Sequence, residues 1–363
     1  MKILAAALLF TSSLAWAAEV SDADKRIVQA VQRLGSFSFS KANPKTQEAI
    51  NRYLDATAGS SEYFALVEKY QIASQSSTLL KLATEQAGTP KSGEAVKLLL
   101  ILGQQAALVQ TLAALAPTPA GALLESIANV GSQEAVALAS AALTSPGIPG
   151  EARLRAAKAL GLSAAGQKAL LEAARAKTLP DDLRQTAAEA LSTSTDEAMR
   201  TEAAALLPLA AKPALPPVAE LARRVGDPAK GQAVFMSYCF TCHQVEGVGI
   251  DFGPALSEIG SKLAKEALYD AILNPSAGIS FGFEGFEVKT KGGDTFIGMV
   301  ASDTAAALAL KVPGGVVQQV AKADLLSKTP LGVSLMTPGL HTVMEEAQLV
   351  DLVEYLASLK KKG

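Results

Sequence analysis

Two kinds of hydrophobic spacing divide the chain. From about Ser21 to Ala222 it is rich in Ala and Leu, its apolar positions recur at helical intervals, and Gly and Pro punctuate them. That pattern predicts helices nearly throughout. Helix ends recur at Leu102-Gly103, Val130-Gly131, Leu160-Gly161 and Leu191-Ser192, spaced 28, 30 and 31 residues apart, and each interval has room for two short helices and a turn. The clearest internal copy aligns Arg155-Ala-Ala-Lys-Ala-Leu160 with Thr186-Ala-Ala-Glu-Ala-Leu191, preceded by Glu151-Ala-Arg153 and Asp182-Leu-Arg184. Helix pairs of this kind bury a continuous core only through their neighbours.

The spacing resembles HEAT-like repeats, the alternative being an Ala-rich bundle without repeat symmetry. The segment from Glu19 to about Gly88 is helical in pattern but out of register with the copies. Pro213-Ala-Leu-Pro216-Pro217 then interrupts the pattern, because proline removes a backbone donor and clashes with the preceding turn. Asp227 followed by Pro228 opens the next helix as N-cap and first helical residue. Between Phe283 and Leu326 the period changes to alternation. Phe286, Val288 and Thr290 lead to a turn at Gly292-Gly293-Asp294, then Phe296, Gly298 and Val300; a second pair, Leu308-Leu310-Val312 and Val316-Val317-Val320, flanks Pro313-Gly314-Gly315. A small antiparallel sheet is expected there. A last helix runs from Glu345 to Lys360, opened by a Thr342-Val-Met-Glu345 capping box, with Leu349, Leu352, Val353, Leu356 and Leu359 on its apolar stripe. The expected fold class is mainly α, with a helical repeat domain over residues 18–222 and a second domain over 223–363 that carries a β insertion at about 283–326.

The N-terminus adds a compartment. Met1-Lys2, an apolar run from Ile3 to Phe10 and the small-residue end Ala15-Trp16-Ala17 read as a signal peptide over residues 1–17. The run is too short to cross a bilayer, which takes about 20 apolar residues. A soluble protein exported to the periplasm is the expectation, with no membrane span after cleavage. Charge is nearly balanced, 33 basic residues against 35 acidic, so nucleic-acid binding gains no support.

Chemistry enters with the cysteines. The chain has two, Cys239 and Cys242, and one of its two histidines, His243, follows directly. Cys-x-x-Cys alone admits a thioredoxin-type redox pair. With the adjacent histidine it reads as the attachment site of one covalent haem c, with Cys239 and Cys242 joined to the macrocycle and His243 below the iron. For the other axial position, Met336 in the Pro/Gly-rich loop Ser334-Leu-Met-Thr-Pro-Gly339 is favoured, with His341 as its rival. Met299 in a strand-like run and Met344 at a helix start fit packing roles better.

The region resembles class I cytochromes c. Gly253-Pro254-Ala-Leu256 and Ile259-Gly260 stand where those proteins place a turn against the histidine, which implies that the Pro254 carbonyl holds its Nδ1-H. The same resemblance implies that the last helix crosses the first near Gly231, Phe235 and Tyr355. From Gly231 to Leu359 the chain also resembles the haem-binding domain described from planctomycetes and verrucomicrobia. The motifs are Cys239-x-x-Cys-His243, Gly253-Pro254-x-Leu256, Ile259-Gly260-x-Lys262, Asn274-Pro275-Ser276, Phe281-Gly282-Phe283-Glu284, Ser334-Leu335-Met336, Pro338-Gly339-Leu340, Asp351-Leu352 and Tyr355-Leu356. That family's loop reads Ser-Leu-Met-Pro, whereas Thr337 separates Met336 from Pro338 here. Relatives often join this domain to a sugar-dehydrogenase propeller, which implies a periplasmic sugar or alcohol dehydrogenase as redox partner. An electron-transfer protein is thus expected. A haem-bearing scaffold or sensor is the second reading and a haem peroxidase the third. The helical half, without Cys or His, is expected to fold without haem and to serve as a docking surface.

Overall fold

The computed structural model describes residues 20–34, 36–209, 214–337 and 339–361. The expected signal peptide, Pro213 and Pro338 lie outside the described residues. The chain forms two compact units, up to Thr78 and from Leu79 onward. The second unit runs through residue 222 without dividing there.

The first unit holds α1 (Asp22–Arg33), α2 (Pro44–Ala56), α3 (Ser61–Tyr70) and the start of α4 (Ser76–Glu85). Asn43 and Ser60 accept backbone N–H groups at the starts of α2 and α3. Leu54, Tyr63, Val67 and Ile72 fill the centre. Asp24 is buried, and hydrogen bonds from the Arg52 guanidinium, Nη2 to Oδ1 at 2.7 Å, hold its carboxyl below the usual range.

The second unit begins as a stack of helices: α5 (Pro90–Ile101), α6 (Gln105–Ala114), α7 (Pro117–Val130), α8 (Gln133–Leu143), α9 (Gly150–Leu160), α10 (Ala164–Arg175), α11 (Arg184–Ser192) and α12 (Glu197–Leu206). The four helix ends read from the sequence fall at the ends of α5, α7, α9 and α11. These odd-numbered helices pack in series, α5 on α7, α7 on α9 and α9 on α11, while α8 packs on α10 and α10 on α12. Small residues permit the close approach: Ala120, Ala128, Ala152, Ala156, Ala157 and Ala187 have no exposed surface. Ion pairs join neighbouring layers at nearly the repeat distance, Arg155 Nε to Glu125 Oε2 at 3.1 Å and Arg153 Nη2 to Asp182 Oδ2 at 3.1 Å.

Beyond the stack come α13 (Val218–Leu221), α14 (Pro228–Tyr238), α15 (Ile259–Lys262), α16 (Lys265–Leu273) and α17 (Glu346–Ser358). Asp227 Oδ1 accepts from the N–H groups of Ala229 and Lys230, so the cap expected ahead of Pro228 is formed. Helices α14 and α17 cross where Gly231 lies against the Asp351 backbone and the Tyr355 Cβ, and Phe235 and Tyr355 meet with ring centroids 5.8 Å apart. Around the crossing, Leu221, Leu268, Tyr269, Ile272, Leu352 and Val353 form one core. The start of α17 differs from the expectation. Thr342 donates its hydroxyl to the Gly339 carbonyl inside a 3₁₀ turn at Leu340–Val343, and Met344 is extended. The capping box is therefore Glu345 with Gln348, three residues later than read.

The sheet comprises β1 (Gly285–Thr290), β2 (Thr295–Asp303), β3 (Ala307–Lys311), β4 (Val317–Ala321) and β5 (Leu325–Pro330), all antiparallel, in the order β4-β3-β2-β1-β5. The four strands read from alternation are present. The fifth, β5, escaped because it is a mostly exposed edge strand without an apolar stripe. At the opposite edge, β4 is covered by the helical stack. Glu94 Oε1 accepts the Val317 N–H at 2.7 Å, Lys97 Nζ donates to the Val317 carbonyl at 2.9 Å, and the buried Gln318 amide donates to the Val130 carbonyl at 2.6 Å. Gly93 gives Val316 its place, since a Cβ there would collide with that side chain.

The helix crossing generates a test. Gly231→Ala overpacks it and is expected to cost about 1–3 kcal/mol, measured by denaturant unfolding. Gly147→Ala, where a Cβ meets nothing within 4 Å, is expected to change stability by less than about 0.5 kcal/mol.

Candidate functional site

The site is built on the C-terminal end of α14. Beyond Tyr238 the chain makes one more tight turn, with Cys242 N–H and His243 N–H both donating to the Cys239 carbonyl, at 3.0 and 2.9 Å. That turn brings both sulfurs and the imidazole to one cavity. The chain then reverses through Glu246 and Gly247, both at positive φ (50° and 80°). It returns alongside itself, with Ile250 N–H donating to the Phe240 carbonyl at 3.0 Å and Phe252 N–H to the Cys242 carbonyl at 3.2 Å.

This return places Gly253 flat against the His243 ring, where a Cβ would stand 2.6 Å from Cε1. Next to it, the Pro254 carbonyl lies 2.8 Å from His243 Nδ1. A carbonyl only accepts, so Nδ1 carries the proton and Nε2 keeps a free lone pair. Burial lowers the ring's pKa and so favours the neutral imidazole that a metal requires, while the Pro254 hydrogen bond opposes that shift.

The cavity has a volume of about 820 Å³, within the range of about 300–1,000 Å³ typical of pockets for organic ligands. Cys239, Cys242, His243, Pro254 and Met336 all line it. Its remaining walls are mostly apolar, with Leu256, Leu268, Ile272, Phe283, Leu335 and Leu356 among them. Met336 stands in the loop ahead of the last 3₁₀ turn, its N–H donating to Ser334 Oγ at 3.1 Å. The rival His341 is not among the lining residues, and its Nδ1 is buried with no hydrogen-bond partner among the described residues. Met344 is buried in the helical core. Met299 does line the cavity, but it is pinned in β2 and packed with Ile250 and Phe252.

Both thiols are half-buried because one side faces the cavity. Burial pushes Cys239 up to about 12 and Cys242 up to about 11. A dithiol redox catalyst needs the opposite, a thiol with its pKa lowered. A metal held by protein groups alone also lacks support, since no group of three or more His, Cys, Asp or Glu that could hold an ion occurs among the described residues. A flat apolar macrocycle does fit: two thiols at one rim, one imidazole with a free lone pair, and a thioether on the wall.

Sequence reading missed a whole side of this cavity. The turn after α9 and the helices α9 and α11 contribute Arg155, Lys158, Gly161, Leu162, Thr186 and Ala190 to its lining. The copied segments 155–160 and 186–191 signalled a repeat, but no local pattern marks which face of a repeat meets a cavity.

Comparison with known proteins gives a cytochrome c family model that matches residues 228–310. No curated protein matches the chain. The match begins at Pro228, takes in Cys239 to His243 and the Gly253-Pro254 turn, and ends in β3, short of Met336 and α17. The chain therefore carries a cytochrome c domain, and such a domain implies covalently bound haem c.

The raised thiol values generate a test on protein made without haem. Alkylation of Cys239 and Cys242 near pH 8 is expected to be at least tenfold slower in the folded chain than in urea, since at a fixed pH below the pKa each unit by which burial raises the thiol pKa cuts the thiolate fraction about tenfold. Equal rates in the two states would put the thiols outside a buried pocket.

Proposed function

We propose that the chain is an exported mono-haem cytochrome c that takes single electrons from a periplasmic dehydrogenase and hands them on. The observation that carries this reading is the His243 imidazole, fixed by the Pro254 carbonyl and Gly253, with its free nitrogen in a cavity that Cys239 and Cys242 share. Haem c supplies an iron that cycles between the ferric and ferrous states. Cys239 and Cys242 would hold the group covalently through their sulfurs. His243 would hold the iron through Nε2, with the Pro254 bond to Nδ1 fixing the ring plane and raising its basicity. Met336 would supply a second ligand from its loop on the cavity wall, and Met/His ligation would favour the reduced iron over two histidines. The apolar walls exclude water.

Export is supported by the N-terminal pattern. No helix among the described residues is long and apolar enough to cross a membrane. The serial packing of α5 to α12 supports HEAT-like repeats, and the motif set from Gly231 to Leu359 supports the planctomycete-type domain.

Two experiments test the reading. In cells equipped for haem maturation, Cys239→Ala or Cys242→Ala is expected to weaken haem staining on a denaturing gel, and the double variant to lose it; full staining in the double variant sinks the assignment. Met336→Ala is expected to abolish the long-wavelength charge-transfer band of methionine-ligated ferric haem, lower the midpoint potential and open the ferrous protein to carbon monoxide. His341→Ala and Met299→Leu should leave the band in place. Loss of the band in either of those instead moves the ligand there.

A further inference from the structure

A haem brings two carboxylates into its pocket, and a carboxylate shut away from water is costly without a cation or donors. The cavity around Cys239, Cys242 and His243 is lined by one Arg and one Lys, Arg155 and Lys158. Both belong to α9, in the helical stack outside the segment that matches the cytochrome c family. Resting on the haem reading above, we infer that α9 is the carboxylate-binding wall of the pocket, with Lys158 the principal cation and Arg155 its neighbour.

The charges on the wall separate these two roles. Three carboxylates also line the cavity, and each is engaged: Glu125 by Arg155, Asp270 by the Asn274 amide at 2.8 Å, and Glu189 by the Gln185 amide at 3.0 Å. Arg155 is thus committed to Glu125. Lys158 is different: the residue is exposed, and its ammonium has no hydrogen-bond or ion-pair partner among the described residues. It is an unpaired positive charge at the edge of an apolar cavity that awaits an anionic ligand. Helix α9 is also firmly placed. Ala156, Ala157 and Leu160 have no exposed surface, and Gly161 fits so closely to α11 that a Cβ would stand 2.5 Å from the Ala190 side chain. A cation carried on such a helix is held near the pocket without ordering a flexible loop.

The assignment gives the helical stack a direct part in the redox site. Reduction adds one negative charge to the pocket, and a nearby ammonium favours that state. In the haem-loaded full-length chain, Lys158→Gln is expected to lower the ferrous-to-ferric ratio at a fixed applied potential about threefold, which is about 30 mV at 59 mV per tenfold. Lys158→Glu should lower it further. Lys168→Gln removes an equal charge from α10, outside the cavity lining, and should leave the ratio unchanged. A second measurement needs no potential: acylation by acetyl N-hydroxysuccinimide, read by peptide mass spectrometry. Lys158 is expected to react several-fold more slowly in the haem-loaded chain than in the haem-free Cys239→Ala/Cys242→Ala chain, while Lys168 reacts alike in both. Equal potentials for Lys158→Gln and Lys168→Gln, or equal acylation of Lys158 with and without haem, would overturn the inference and leave the cytochrome reading standing. A matured wild-type chain without covalent haem overturns both, and the denaturing gel separates that case.

Discussion

The contact between His243 and the Gly253-Pro254 turn constrains everything around it. For Nε2 to face the cavity, Nδ1 needs an acceptor, and the acceptor must be a carbonyl so that the tautomer is fixed. The Pro254 carbonyl meets that need at 2.8 Å, and only glycine leaves room for the ring at 253. To bring the turn there the chain must reverse within ten residues of the histidine. It does so with Glu246 and Gly247 at positive φ and Gly249 lodged against the His243 carbonyl. A change at any of these positions moves the imidazole before it moves anything else.

The same return segment ties the site to the sheet. Ile250 and Phe252 pack on Met299 of β2, and Asp251 pairs with Lys311 of β3, Nζ to Oδ2 at 2.9 Å. At the far edge of the sheet, Glu94 and Lys97 stand one helical turn apart on α5 and are paired with each other at 2.9 Å. Between them they satisfy the N–H and the carbonyl of Val317, closing a strand edge that would otherwise recruit another chain. The insertion thus acts as a bracket: one side carries the segment behind the histidine and the other is fastened to the helical stack. That role is not written in the local sequence, because neither Lys97 nor Gln318 announces which carbonyl it will reach.

What was legible followed the rules that act locally. Alternation found β1 to β4, glycine and leucine marked the ends of α5, α7 and α9, and Asp227-Pro228 marked the start of α14, because period, caps and turns are written in neighbouring residues. The pentapeptide from Cys239 to His243 was legible for the same reason: one helical turn holds all of its chemistry. Legibility failed where the determinant is distant. The edge strand β5 has no core to face, so Leu325 to Pro330 lacks the alternating stripe. The capping box moved from Thr342 to Glu345 because Thr342 found the Gly339 carbonyl first. The wall from α9 could not be read at all, since Lys158 and Cys239 meet one cavity only through the packing of the whole unit.

That distance also decides what haem attachment does for stability. On the proposed reading, joining Cys239 to Cys242 through one group would close a loop of four residues, which by loop entropy is worth about 2 kcal/mol. Covering the cavity wall adds only what apolar surface is still open there, at about 25 cal/mol per Å², because Leu268, Ile272, Leu352 and Leu356 are already buried in the protein core; its larger effect is to join segments. Those side chains come from segments far apart in the chain: Leu162 after α9, Leu268 and Ile272 on α16, Leu335 beside Met336, and Leu352 and Leu356 on α17. A group that touches all of them ties the helical stack, the sheet and the cytochrome helices together. On the proposed reading, thioether bonds would govern retention and the shared wall the cooperativity of the unit.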